Sequence, residues 1–307
     1  MNKSKIMQIL KLAVIFLSFW FIGEKFWVNY SWLQTSVLNF NLLITIIICS
    51  IIYGFSEFFL SFAWRKLLMW CGHKKISVSL CNSIYGKSQI AKYVPGNIFH
   101  VLGRHVLGNQ AGVNHIILAG ATVYEILGLV SISSLIGLSG MIIFGLGNLY
   151  FSLNQIILIL IITLLLTISA IVFAPHLMSL RGIILPNRGI WESIRNIGAI
   201  YIFYFIFFLI AGLLLVLIVR LFFNLDYFTL TKVITIFSIA WVAGFIIPGA
   251  PGGIGVREAV LIYFITPIIG EAESVAVAIA LRLVTLFGDT LFFALSDISI
   301  LNFKQKN

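Results

Sequence analysis

Residues 246–258 read IIPGAPGGIGVRE, within an otherwise apolar stretch that runs from about Val233 to Gly270. The two prolines and four glycines of this motif disfavour a continuous helix, because proline lacks a backbone N–H and glycine is a poor helix former. Arg257 and Glu258 also place charge where apolar surroundings make it costly. The motif therefore predicts a helix that is broken inside a hydrophobic segment, with charged side chains at the break.

The composition of the chain is that of a membrane protein. Of its 307 residues, 61% are hydrophobic and 10% are charged, whereas a soluble domain carries about 25% charged residues. Runs of about the length of a membrane span occur at Leu12–Gly23, Leu42–Ala63, Ile116–Ile136, Ile156–Ala174, Ile197–Val219 and Val275–Ile300. The run Leu12–Gly23 is short by itself and reaches spanning length if the helix begins at Ile6. We predict an all-α polytopic membrane protein with about six full spans and two re-entrant or broken helical segments.

The distribution of basic residues predicts the orientation of these spans. With a cytoplasmic N-terminus, 15 of the 20 lysines and arginines fall on the cytoplasmic side, three fall outside, and Arg257 and Arg282 lie within the membrane. This bias follows the positive-inside rule and predicts that both termini are cytoplasmic. The net charge of +10 is thereby explained by topology and by attraction to anionic lipid. We expect no nucleic acid partner.

A second apolar stretch with a Pro-Gly break lies at residues 83–108, which read SIYGKSQIAKYVPGNIFHVLGRHVLG. Both broken stretches have neighbouring spans that return to the same side, which predicts re-entrant or broken helices. Three residues recur at an offset of 153, since Pro95, Gly96 and Arg104 correspond to Pro248, Gly249 and Arg257. Paired broken helices in inverted repeats are a common plan of transporters. We therefore predict one transmembrane domain, 1–307, built of inverted repeats 1–150 and 151–307.

A plainer interpretation of the two breaks stays open. Pro-Gly positions can be tight loops between short helices, and small residues often serve helix packing in membranes.

Helix N-termini after the glycines, together with buried charge, predict an anion-binding site between the breaks. Backbone N–H groups and a partial positive charge at a helix start favour a phosphate or carboxylate. Arg104, Arg257 and Lys92 would add full positive charge, and Glu258 would balance Arg257 in the empty site. Arg282 and Asp289 share one helical face of the last span and are interpreted either as a structural ion pair or as functional groups.

The predicted substrate-binding residues are Lys92, Pro95, Gly96, Arg104, Glu125, Pro248, Gly249, Gly252, Gly253, Gly255, Arg257, Glu258, Arg282 and Asp289. Glu57 is a further intramembrane acid, for which a structural role is favoured. The five histidines and three cysteines show no metal-ligand spacing, so we expect no metal and no cofactor. Motifs of phosphate-binding loops and of catalytic serine hydrolases do not occur in the sequence, so no catalytic residue is predicted.

The stretches KYVPGNIFHVLGR, at 92–104, and PGAPGGIGVREAVL, at 248–261, make the chain resemble the lysylphosphatidylglycerol synthase transmembrane region family, whose members are also called flippase-like domain proteins. The matching residues are Lys92, Tyr93, Pro95, Gly96, Gly103 and Arg104 in the first motif and Pro251, Gly252, Gly253, Gly255, Arg257 and Glu258 in the second. The resemblance covers nearly the whole chain. It implies the lipid-translocating part of such synthases without their soluble aminoacyl-transferase domain.

These features predict a flippase-like protein of the bacterial plasma (inner) membrane. It would translocate an anionic lipid or a polyprenyl-phosphate-linked glycan carrier, with envelope glycan-assembly proteins as candidate partners. One alternative is a membrane enzyme or accessory subunit of cell-envelope polysaccharide or glycolipid synthesis. Another is a non-catalytic membrane partner whose broken helices only pack.

Overall fold

The computed structural model describes residues 24, 27–28, 40–73, 75–93, 98–144, 152, 154–159, 161–163, 190–224, 226–247 and 251–304. Within these ranges the chain is helical and contains no strand. The helices are α1 (Phe40–Trp70), α2 (Val78–Ile90), α3 (Phe99–Gln110), α4 (His115–Phe144), α5 (Ile190–Val219), α6 (Tyr227–Ile246), α7 (Val256–Ile269) and α8 (Glu271–Lys304). Short 3₁₀ turns at Ala91–Tyr93 and Pro251–Gly253 follow α2 and precede α7.

Five of these helices are long and apolar enough to cross a membrane: α1, α4, α6, residues 195–219 of α5 and residues 271–297 of α8. They indicate a membrane-embedded, multi-pass helical protein. The predicted runs at 42–63, 116–136, 197–219 and 275–300 lie in α1, α4, α5 and α8, which confirms long apolar helices there. The predicted span Leu12–Gly23 lies outside the described residues. So does most of Ile156–Ala174, of which 156–159 and 161–163 are helical.

Helix α6 is longer than the sequence indicated. It has 20 residues and ends just before the Pro-Gly stretch of the opening motif. Its length of about 30 Å is enough for a full crossing. The apolar stretch had been taken to begin only at Val233. Two polar residues nevertheless continue the helix, because the Thr231 hydroxyl donates to the Phe228 carbonyl (2.8 Å) and the Lys232 ammonium lies 4.6 Å from the centroid of the Phe228 ring.

Two interruptions of the helical chain recur in corresponding places. We call residues 91–98, between α2 and α3, the first break, and residues 247–255, between α6 and α7, the second break. In each half of the chain a long helix is followed by two helices that flank a break, and then by another long helix. The order of elements from α1 to α4 is thus the same as the order from α5 to α8.

Contacts between the helices follow the same correspondence. Helix α4 packs on α6, and its counterpart α8 packs on α2. Helix α1 packs on α8, and its counterpart α5 packs on α4. Helices α1 and α5 pack on each other, and so do the 3₁₀ turns of the two breaks. If helices α1–α4 are interchanged with α5–α8, each of these contacts therefore corresponds to another of them.

Close packing of α1 on α8 depends on a pair of glycines. A Cβ atom added to Gly54 would lie 2.8 Å from the Gly288 carbonyl oxygen, and one added to Gly288 would lie 3.0 Å from the Ser50 carbonyl oxygen. Small residues allow the backbones of membrane helices to approach in this way. The approach brings Glu57 of α1 and Asp289 of α8 toward the same part of the interior.

Candidate functional site

A cavity lies where the two breaks meet the long helices. It encloses about 690 Å³ of atom-free space, part of which is open to the surroundings. Its polar wall consists of Tyr53, Glu57, Tyr85, Gln89, Lys92, His100, Arg104, Glu125 and Arg257, with Gly244, Gly252 and Gly253 beside them. Leu60, Leu129, Phe207, Trp241 and Phe245 are among the apolar residues that line the remainder. Both halves of the chain therefore contribute to one amphipathic cavity.

Glycines of the second break allow the two breaks to touch. Gly252 has φ 56°, and a Cβ atom there would lie 3.5 Å from the ring of Tyr93 and 3.5 Å from Arg282 Nη2. Gly253 has φ 73°, and its Cβ would lie 3.1 Å from the Cα of Gly244 in α6. Positive φ favours glycine at both positions, and at Gly253 the close backbone contact favours it further. Gly253, which was predicted to bind substrate, packs against α6.

Asp289 in α8 binds the first break. Its carboxylate is fully buried and lies 2.8 Å from Lys92 Nζ, while the Tyr93 hydroxyl donates to its other oxygen. An ion pair of Asp289 with Arg282 had been one interpretation of the sequence. The structure corrects it, because residues seven apart lie about 10 Å apart along a helix and so reach different breaks.

Arg282 in α8 binds the second break instead. Its Nη1 donates to the Gly252 carbonyl oxygen at 3.2 Å and lies 3.5 Å from Glu258 Oε1. The guanidinium also lies 5.3 Å from the centroid of the Tyr93 ring, which belongs to the first break. Helix α8 therefore holds each break through one charged side chain.

Glu258 caps its own helix rather than pairing with Arg257 as predicted. Its Oε2 accepts the backbone N–H of Gly255 at 2.6 Å, at the position before the first turn of α7. A carboxylate at this third helical position is favoured by the unpaired N–H groups and by the helix dipole. One of the N–H groups that was predicted to meet an anion is thereby occupied.

Arg104 and Glu125 form a buried pair on the cavity wall. Arg104 Nη1 contacts both carboxylate oxygens of Glu125, and Arg104 Nε donates to the Ser88 hydroxyl at 3.1 Å. The Tyr85 hydroxyl donates to Glu125 at 2.7 Å, and the ring of Tyr85 lies 3.7 Å below the guanidinium. This arginine has its charge balanced and is held in place from several sides.

Arg257, the counterpart of Arg104 at an offset of 153, is not balanced in this way. It is half-buried on the cavity wall. Within the described part of the chain no carboxylate lies within 4.0 Å of its guanidinium. Its Nε is buried and has no hydrogen-bond partner there. Such a group can bind an anion without first breaking a protein ion pair.

Glu57, for which a structural role had been favoured, lines the same cavity. The side chain is fully buried in α1, where Gln89 Nε2 donates to its Oε2 at 2.7 Å. Its Oε1 has no hydrogen-bond donor among the described residues. The signal in the sequence was a single acid within an apolar run. Nothing in the sequence marked its neighbours Tyr53 and Gln89.

The predicted site residues fall into three groups. Lys92, Arg104, Glu125, Gly252, Gly253 and Arg257 line the cavity, while Gly255, Glu258, Arg282 and Asp289 support its walls. Pro95, Gly96, Pro248 and Gly249 lie outside the described residues. That these residues bind a substrate stays a prediction.

Fold and cavity together define a class, a membrane-embedded helical protein with a charged interior cavity between two helix breaks. No family model matches the chain, and comparison with curated proteins and with solved structures finds no match. Any more specific assignment therefore depends on the chemistry of the cavity.

Proposed function

We propose that the protein is a flippase-like translocator of lipids with a phosphate-containing anionic headgroup. The substrate class is an anionic phospholipid or a polyprenyl-phosphate-linked glycan carrier. The membrane is the bacterial plasma (inner) membrane, with both chain termini on the cytoplasmic side. The observation that carries the proposal is Arg257, a cation on the cavity wall with no carboxylate partner in the described part of the chain.

The chemistry of the cavity supports a phosphate ligand. The planar guanidinium of arginine matches the geometry of a phosphate and is more easily stripped of water than an ammonium group. The apolar part of the wall, including Phe207 and Trp241, suits the acyl or prenyl portion next to the headgroup.

The exchange of contacts between the halves supports inverted repeats. The two breaks touch beside the cavity, and the helices around them correspond from α1–α4 to α5–α8. Inverted repeats with discontinuous helices place substrate sites at the interface of the repeats and allow alternating access. A lipid-moving protein needs such access from both leaflets.

The test uses purified protein in vesicles that contain fluorescent phosphatidylglycerol or fluorescent polyprenyl phosphate, with fluorescent phosphatidylcholine as the neutral comparison. A membrane-impermeant quencher reports which leaflet holds the probe. The wild type is expected to move at least one anionic probe faster than the neutral one. Mass spectrometry of the recovered lipid checks that it leaves unchanged, which separates translocation from an enzymatic reaction.

Arg257→Ala is expected to lower transport of the anionic probe by roughly tenfold to somewhat over a hundredfold. This corresponds to the loss of a charge-assisted contact of about 1.5–3 kcal/mol. Arg257→Lys should recover part of the rate, because lysine keeps the charge but not the planar fork. The matched control is Arg220→Ala, which removes an exposed arginine at the end of α5. Wild-type transport by folded Arg257→Ala protein would refute the proposal.

A further inference from the structure

Most charged groups described around the cavity form ion pairs, but one carboxylate and one guanidinium do not. The pairs are Lys92 with Asp289, Arg104 with Glu125 and Arg282 with Glu258. Among the described residues that line the cavity, Glu57 and Arg257 have no such partner within 4.0 Å. Both groups line the same cavity, so the charge on one enters the electrostatic balance of the other.

Glu57 has the surroundings of a carboxyl group that exchanges a proton. It is fully buried, and one oxygen accepts a hydrogen bond from Gln89 while the other has no donor among the described residues. The carboxylate of Asp289 lies within interacting distance of it. A proton on Glu57 would turn the orphaned oxygen into a donor facing acceptors, whereas without a proton two carboxylates face each other.

Binding of an anion changes the charge of this arrangement. A phosphate on Arg257 cancels a guanidinium charge on the cavity wall that has no carboxylate partner among the described residues. The site then holds one uncompensated carboxylate in a low-dielectric interior, where an isolated charge is unfavourable. A proton taken up from water restores neutrality, and it can return to water when the headgroup leaves.

We propose that Glu57 is a proton-binding site and that one proton crosses the membrane with each singly charged anionic lipid. The inference rests on the translocation proposed above and adds the source of its driving force. In each cycle an O–H bond forms on Glu57 with a proton from water on one side. That bond breaks to release the proton to water on the other side, and no oxidant or reductant takes part.

A proton fits this place better than a metal cation. Lys92 Nζ lies 2.8 Å from Asp289, so the charge of that carboxylate is already balanced by the lysine. The amide of Gln89 presents its NH₂ group, a donor, to Glu57, whereas a metal ion would need the amide oxygen. Within the described residues no group of three metal-ligating side chains occurs.

Titratable and charged groups of the surrounding elements line the cavity with Glu57 or lie at its edge. They are Tyr53 on α1, Tyr85 on α2, Lys92 and Tyr93 in the first break, His100 and Arg104 on α3, Glu125 on α4, Arg257 on α7, and Arg282 and Asp289 on α8. Helices α5 and α6 contribute the uncharged Phe207 and Trp241 to the same wall. His100 is the competing proton acceptor, because its Nδ1 is buried without a partner among the described residues.

The experiment measures the distribution of the probe between leaflets at steady state under a pH gradient. Vesicles contain wild-type protein and fluorescent phosphatidylglycerol, or polyprenyl phosphate at a pH below the second pKa of its phosphate, about 6, so that either probe carries one charge. The medium contains choline, and the membrane potential is clamped at zero. Movement of one proton with one singly charged lipid predicts a leaflet ratio of up to about tenfold per pH unit. It also predicts no response of that ratio to an imposed potential, because the moved unit is neutral.

Glu57→Gln keeps the shape of a protonated carboxyl and cannot release the proton. If it moves the probe, its leaflet ratio should stay near one in the pH gradient and should respond to the potential instead. His100→Gln should keep the pH response of the leaflet ratio, whatever its transport rate. So should Asp297→Asn, which changes a half-buried carboxylate that pairs with Lys87. Loss of the pH response in His100→Gln would assign the proton to that residue and overturn the proposal for Glu57.

The wild-type measurement decides the question even if Glu57→Gln does not fold. Transport of an anionic probe with a leaflet ratio that ignores the pH gradient would overturn proton coupling and leave the proposed function standing. A ratio that follows a sodium gradient would overturn it in favour of sodium. Failure of the wild type to move either anionic probe would instead remove the proposed function itself, and proton coupling with it.

Discussion

An arginine follows each break at a corresponding position, but among the described residues only Arg104 has a carboxylate partner. Arg104 near the first break is buried against Glu125, Ser88 and the ring of Tyr85. Arg257 near the second break has no carboxylate partner among the described residues and faces the cavity. Similar motifs thus hold a structural cation in one half and an available cation in the other.

The sequence contains the reason for this difference. Glu125 follows Arg104 by 21 positions, and the residue 21 positions after Arg257 is Ala278, which is buried. The second half therefore lacks the carboxylate that balances arginine in the first half. Both α3–α4 and α7–α8 are neighbouring pairs of helices, so the missing partner, rather than a different architecture, leaves Arg257 available.

The largest expected effect comes from breaking the Arg104–Glu125 pair. Arg104→Ala leaves a buried carboxylate without its cation, which typically destabilises a protein by about 3–5 kcal/mol. We expect a strongly reduced melting temperature in detergent and reduced abundance in membranes. Arg257→Ala should unfold like the wild type, because no protein ion pair is lost within the described residues.

A double variant sharpens this contrast. Arg104→Leu combined with Glu125→Leu removes both charges and should recover most of the stability lost in Arg104→Ala. If Arg104→Ala is as stable as the wild type, then the two arginines do not differ as described. If the double variant remains as unstable as the single one, the packing of the arginine stem matters more than its charge.

An intermediate effect is expected for the ion pair that joins α8 to the first break. Asp289→Ala removes the acceptor of Lys92 and of the Tyr93 hydroxyl, at a cost of about 1.5–3 kcal/mol for a hydrogen bond to a charged group. Exchanging the charges, as Lys92→Asp with Asp289→Lys, should restore part of the thermal stability. Exchanging Arg282 and Asp289 should not, because these residues bind different breaks. If only the exchange of Arg282 and Asp289 restored thermal stability, these residues would not bind different breaks as described.

Much of the fold could be predicted from the sequence, because a long apolar run that crosses a membrane must satisfy its backbone hydrogen bonds within a helix. The presence of two breaks and their charged residues was also predictable from Pro-Gly positions and intramembrane charge. Partners of the charges were not, since Lys92 and Asp289 are separated by 197 positions and meet only through packing. The start of α6 was misjudged because the apolar stretch was taken to begin only after Thr231 and Lys232, although the side chains of both contact Phe228 of the same helix.

Glu57 and Gln89 show a second limit of the sequence. Their contact joins α1 to α2 across 32 positions, and no motif links them. Hydrophobic pattern places both residues on helices but does not tell which helix faces point at each other. That information resides in packing, here in the close approach of α1 and α8 at Gly54 and Gly288.

The smallest expected effects are those of replacing glycines that have positive φ. Two such replacements separate the cost of backbone strain from the cost of a close contact in the second break. Gly112 and Gly253 both have positive φ, 85° and 73°. A Cβ atom at Gly112 meets nothing within 4 Å, whereas one at Gly253 would lie 3.1 Å from the Cα of Gly244. Gly112→Ala should cost about 1–2 kcal/mol, the usual strain of a side chain in the left-handed region.

Gly253→Ala should cost more than Gly112→Ala, because α6 must also move away from the second break. Thermal unfolding of the two variants in the same detergent gives the difference directly. Equal losses would show that the contact with Gly244 contributes nothing beyond the backbone conformation. A larger loss in Gly253→Ala, together with slower transport of the anionic probe, would show that the packing of the second break on α6 positions Arg257 in the cavity. The first break would then differ from the second in a further respect, since its arginine is positioned by an ion pair instead.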